Sequence, residues 1–99
     1  MAKRVLVIAR DLMFRSKLRT VVTNRGGEVA SDEAACDLAV VEIDAPQWEA
    51  RLRSLVARNI PVLAFGSHVN IDALRLARDA GAQAVPNSQV ESTLAHLLV

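Results

Sequence analysis

The chain has 99 residues, 52% of them hydrophobic and 23% charged, which suits one globular domain over residues 1–99 and excludes a disordered chain. Twelve basic residues stand against eleven acidic ones, and a formal net charge of +1 argues against a strong electrostatic grip on nucleic acid or an acidic membrane. The one cysteine, Cys36, excludes an internal disulfide and a multi-cysteine metal cage; it reads as a small buried apolar residue in a reducing compartment.

In chain order, Arg4 to Ile8 is a short β-branched run of the kind expected for a strand buried on both faces. Asp11 suits the N-terminus of a following helix, in which Phe14, Leu18, Val21 and Val22 form one apolar stripe. Gly26-Gly27 stops that helix, and Glu28 to Ala30 is a brief second strand. Leu38 to Ile43 is the third strand. Pro46 is placed at the start of the next helix, whose stripe is Trp48, Leu52, Leu55 and Val56, and Asn59 ends it. Pro61 to Phe65 is the fourth strand, and Asn70 caps a helix carrying Ile71, Leu74 and Ala77 that stops at Gly81. Ala84-Val85 is a minimal fifth strand. A last helix shows Val90, Leu94, Leu97 and Leu98 on one side.

Apolar strands alternating with amphipathic helices across short turns predict a flavodoxin-like α/β/α arrangement of three layers, with a parallel sheet of about five strands. One connection departs from the pattern. Only seven residues, Ser31 to Asp37, separate the second strand from the third, whereas a parallel crossover normally takes a dozen or more. Either the second helix is vestigial or the second strand is poorly formed, and both leave part of one sheet face thinly covered. The first apolar run is too short for a signal peptide, and no stretch approaches the roughly 20 residues of a membrane helix. A soluble, cytoplasmic protein is expected.

Three segments in order resemble the receiver domain of bacterial response regulators, the CheY-like family. Val5-Leu-Val-Ile-Ala-Arg-Asp-Leu-Met-Phe-Arg15 resembles its first strand, acidic turn and first helix. Asp37-Leu-Ala-Val-Val-Glu-Ile-Asp-Ala-Pro46 resembles the strand that presents the phosphoacceptor. Pro61 to Ser67 and Ala80-Gly-Ala-Gln-Ala-Val85 resemble the fourth strand and the approach to the fifth.

The resemblance implies a phosphorylation site whose residues are mostly replaced here. Its two acids, which would bind Mg²⁺ through hard oxygen ligands, fall at Ala9 and Arg10, with Asp11 following. The phosphoacceptor aspartate falls at Glu42, and the hydroxyl residue at Gly66 with Ser67 beside it. The lysine after the fifth strand has no counterpart; Asn87 and Ser88 are nearest, and neither supplies an ammonium charge. Metal ligands, nucleophile and lysine are lost together, so no catalytic residue, metal or cofactor is expected, and the chain reads as a pseudo-receiver rather than an enzyme. An Arg10–Glu42 ion pair is expected to replace the metal-bridged cluster, in preference to Glu42 imitating a phosphoryl group. Asp44, two residues on, is expected to point to the same side of the strand. The alternative function is a true phosphoacceptor response regulator of a two-component system with an atypical site.

His68 reads as a solvated loop residue, and two histidines without a clustered acid or thiol make no zinc site. The arginines read as solvated helix faces, and three aromatics make no base-stacking platform, so no nucleic-acid partner is expected. A small-ligand pocket at the carboxyl ends of the strands ranks last, because Gly26-Gly27 ends a helix instead of opening one. The expected role is a phosphorylation-independent interaction module with a protein partner or a homodimer. By resemblance its contact face spans Ile71 to Val99, with Leu74, Val90, Leu94 and Leu98 as candidates. A second surface lies around Ser31–Asp37 and Trp48.

Overall fold

A computed structural model describes residues 2–98; Met1 and Val99, the last residue of the expected contact face, lie outside them. Five strands, β1 (Arg4–Ile8), β2 (Glu28–Val29), β3 (Leu38–Glu42), β4 (Val62–Gly66) and β5 (Gln83–Pro86), form one sheet in the order β2-β1-β3-β4-β5. Every pair is parallel, with Val5 opposite Leu38, Val40 opposite Leu63 and Phe65 opposite Val85. Four helices, α1 (Leu12–Asn24), α2 (Trp48–Ala57), α3 (Ile71–Asp79) and α4 (Val90–Leu97), complete the expected flavodoxin-like architecture.

Side-chain alternation along the strands divides the core into two layers. Leu6, Ile8, Ala39, Val41 and Ala64 face Leu52 and Leu55 of α2 and Leu74 and Ala77 of α3. Val5, Val40, Leu63, Phe65 and Val85 face Leu18 and Val22 of α1 and Val90 and Leu94 of α4. β3 and β4 lie between other strands and have helices on both faces, so all of Leu38 to Val41 and Val62 to Gly66 is buried. That is why these segments read as unbroken apolar runs. The Phe14 ring adds to the second layer, its centroid 5.3 Å from that of Phe65.

The short crossover resolves both ways at once. β2 has two residues, and between it and β3 there is one 3-10 turn, Glu33–Ala35, capped by Asp32. Arg51 of α2 reaches that turn with Nε 2.7 Å from Glu33 Oε1, and Cys36 is buried beside it. α1 closes at Arg25, after which Gly26 takes φ 78°, the left-handed conformation that glycine enters without strain. Among the described residues no helix is long and apolar enough to cross a membrane.

Candidate functional site

The carboxyl ends of β1, β3 and β4 bring together the turn 9–11, the loop 43–47 and the loop 67–70, as the parallel topology requires. Ala9 is buried, while Arg10 and Asp11 are exposed. Asp11 is the N-cap of α1: its Oδ1 accepts from the backbone N–H groups of Met13 (2.8 Å) and Phe14 (3.2 Å). Glu42 sits at the end of β3, and its side chain crosses to the turn after β1. Its Oε1 accepts from the backbone N–H of Arg10 at 2.6 Å and from that of Asp11 at 2.9 Å.

This corrects the expected Arg10–Glu42 ion pair. The two residues do meet, but Glu42 binds the main chain of residue 10 and not its guanidinium, which has no acidic partner among the described residues. Two main-chain donors converging on one oxygen satisfy the carboxylate locally, and no long arginine arm has to be ordered to do so.

Asp44 is also placed differently from the expectation. β3 ends at Glu42, and Asp44 has φ 96°, so strand alternation no longer governs its direction. Ala45 N–H donates to Glu42 O (3.0 Å) and Trp48 N–H to Ala45 O (3.1 Å), giving two successive turns. Their third residues, Asp44 and Gln47, both have positive φ, the mark of type II turns. Pro46 stands at the second position of the latter turn, two residues before α2 and not at its start, because Gln47 is the N-cap.

At the end of β4, Gly66 is buried. A Cβ there would lie 3.2 Å from the Cβ of Ile43, so the family's hydroxyl residue would press on a fully packed side chain. Ser67 is exposed, and its Oγ accepts from Val69 N–H at 3.4 Å. His68 is exposed. Asn87 opens a 3-10 turn after β5, and its buried Oδ1 has no hydrogen-bond partner among the described residues.

The donor set does not suit a hard divalent cation. Ala9 offers no ligand, Arg10 brings a positive charge, and the carboxylates of Asp11 and Glu42 are engaged by main-chain N–H groups. Among the described residues, no three His, Cys, Asp or Glu side chains cluster in a way that would hold a metal.

The candidate interface is redistributed. Leu74, Val90 and Leu94 are buried in the core, a correction with a simple cause: they are the stripes by which α3 and α4 pack on the sheet. Leu98 and Trp48 are half-buried against the same layers. Among the described residues, the large apolar side chains left in solvent are Leu12 (72%), Met13 (67%), Val69 (74%), Ile71 (62%) and Leu76 (40%). The first four lie on the loops and helix starts that follow β1 and β4, at the same end of the sheet as Glu42. Leu12 and Met13 were legible as apolar residues off the α1 stripe, and Val69 as an apolar residue inside a polar loop.

No protein-family model matches the chain, and no curated protein matches it in sequence. Solved structures do. A putative response regulator from Chloroflexus aurantiacus superposes with TM-score 0.81 at 16% identity, covering 99% of this chain and 95% of that one. The BeF3-activated receiver domain of DrrB gives TM-score 0.83 at 17% identity, with coverages of 99% and 95%. NtrX from Brucella abortus gives 0.76 at 19% identity, covering 99% of this chain; the chain spans only 28% of that protein. The chain has the fold of CheY-like response-regulator receiver domains, as the three sequence segments imply.

Proposed function

We propose that the chain is a signalling module of the receiver type that works through protein contacts without being phosphorylated. The observation that carries this reading is the fate of Glu42. The carboxylate at the phosphoacceptor position is spent on the main chain of Arg10 and Asp11, where it fastens the β1–α1 turn to β3. A phosphoryl group arriving there would meet neither a metal cluster nor a lysine. Phosphoryl transfer relies on that charge neutralisation more than on covalent chemistry. The same hydrogen bonds give the turn a fixed shape with no ligand or modification, as a constitutive module requires.

The contact surface is the apolar rim around this end of the sheet. Leu12 and Met13 follow β1, Val69 and Ile71 follow β4, and one strand separates the two sites, so they stand about 10 Å apart at strand spacing. Exposed apolar groups concentrated on one end of a small protein mark a contact with another protein, a second copy included. Size-exclusion chromatography with light scattering, paired with a pull-down using the 99-residue chain as bait, tests this. Leu12→Glu and Ile71→Glu are expected to weaken the self-association or the capture seen with the wild type. A chain that stays monomeric at about 1 mM and captures no partner contradicts the reading.

A further inference from the structure

The truncated crossover leaves an opening of a distinct kind. β2 pairs with β1 only at Arg4–Glu28 and Val5–Val29, followed by one hydrogen bond from Ala30 N–H to Val5 O. Leu6 to Ile8 therefore continue past the last strand on that side, and the connection from β2 to β3 carries a 3-10 turn and no α-helix to cover this edge. The result is a cleft of about 730 Å³ at the carboxyl ends of β1 and β2. That volume falls within the roughly 300–1,000 Å³ of small-molecule sites.

Four arginines line the cleft: Arg10 from the turn after β1, Arg15 and Arg19 from successive turns of α1, and Arg51 from α2. No carboxylate side chain lines it, although the chain as a whole carries eleven acids and a net charge of only +1. Of the acids on adjoining segments, Glu42 and Asp11 are engaged by main-chain N–H groups and Glu33 by Arg51. Two of the arginines are fixed. Arg15 Nη2 donates to Ala9 O at 3.0 Å, and Arg51 Nε to Glu33 at 2.7 Å, which anchors both side chains at the cleft. The guanidiniums of Arg10 and Arg19 have no acceptor among the described residues, which leaves their donor forks open. Ile8, Ala45 and Pro46 give the cleft an apolar wall.

We propose that this cleft binds a small phosphate-bearing ligand carrying two or more negative charges, held by paired guanidinium–phosphate hydrogen bonds. Planar, permanently charged forks match phosphate oxygens in bidentate fashion. The small volume and the absence of an aromatic wall fit a small molecule, whereas a nucleic-acid strand needs a longer track and a stacking surface. The site adds a ligand input to the interaction module: Arg10 and Arg15 of the cleft flank Leu12 and Met13 of the apolar rim, whereas Val69 and Ile71 lie on the far side of β3, and ligand binding is measured without reference to any protein partner.

Nitrogen-15 correlation spectra of the 99-residue chain, titrated at constant ionic strength with pyrophosphate, ATP and citrate, test the proposal. Saturable shifts are expected for pyrophosphate or ATP at residues 9–11, 30–31 and 45–47, with Kd below about 1 mM. Arg10→Gln and Arg19→Gln are each expected to weaken binding about tenfold, as loss of a charge-assisted hydrogen bond does. Both positions are exposed and neither side chain makes a hydrogen bond or ion pair among the described residues, and the same spectra report whether the variants are folded. Arg75→Gln on α3, an equal loss of charge away from the cleft, is expected to leave affinity unchanged. The absence of saturable shifts with pyrophosphate and ATP overturns the site, as does equal weakening by Arg75→Gln. Citrate binding as tightly as pyrophosphate overturns the assignment to phosphate.

Discussion

Glu42 and the two N–H groups it accepts form the smallest unit on which the account rests. Glu42→Ala leaves both donors to solvent and should lower stability by about 1–2 kcal/mol, toward the low end for hydrogen bonds to a charged group because solvent reaches the site. Glu42→Gln keeps an acceptor oxygen and should lose less. Glu42→Asp restores the residue type found in the receiver family but is one methylene shorter, and it should behave more like alanine than glutamine. Urea denaturation of the three variants, compared at constant m, measures this series. At the opposite end of the sheet, the backbone N–H of Arg4, 2.9 Å from Asp37 Oδ2, and then the nearby Arg4 guanidinium hold the Asp37 carboxyl below its usual range. A depressed folded-state pKa stabilises the fold above the unfolded value of 3.8, and that contribution disappears as pH falls through the folded value. The stability difference between wild type and Asp37→Asn should therefore be constant near neutrality and shrink below about pH 4, which denaturation at stepped pH reads directly. Sequence spacing correctly placed residues 10 and 42 together. It could not tell a guanidinium from a main-chain N–H as the donor, because every non-proline residue carries the latter. Asp44 escaped for a related reason: its positive φ follows from a turn, and strand alternation has no force once the strand has ended.

Among the elements, α1 was readable to its ends, because Asp11 and Gly26-Gly27 carry the capping chemistry that helix termini demand. The crossover was not. Seven residues allowed either a vestigial helix or a poor strand, and the chain has a two-residue β2 together with a single 3-10 turn. Few ladder bonds and little packing make this the part of the sheet that opens most easily. Native-state hydrogen exchange should find the amides of residues 28–35 exchanging through local opening, while β3 and β4 exchange only near the global unfolding limit. Cys36 closes the same segment, buried and with its thiol pushed up, first by that burial. It should resist an aromatic disulfide reagent in the folded state and react promptly in urea.

For the molecule as a whole, alternation of strand and helix was enough to give a parallel sheet of about five strands between helical layers, while the strand order and the membership of the two core layers are read from the structure. Burial of a parallel sheet on both faces leaves a strong apolar signature in β3 and β4. The same signal misdirected the choice of surface residues. An apolar stripe marks the side of a helix that packs inward, so Leu74, Val90 and Leu94 belong to the core; Leu12, Met13 and Leu76 are exposed off the stripes, and Ile71, expected on the α3 stripe, is exposed at the first position of that helix. What remains outside is an apolar rim on a turn fixed by Glu42, in a fold that elsewhere in nature carries a phosphorylation switch. The most direct measurement is intact-protein mass spectrometry with parallel light scattering, before and after incubation with acetyl phosphate and Mg²⁺. No phosphoryl adduct and an unchanged oligomeric mass are expected. A labile adduct on Asp44 or Glu42, with a change of oligomeric state that depends on both reagents, would show that the switch operates and contradict a phosphorylation-independent module.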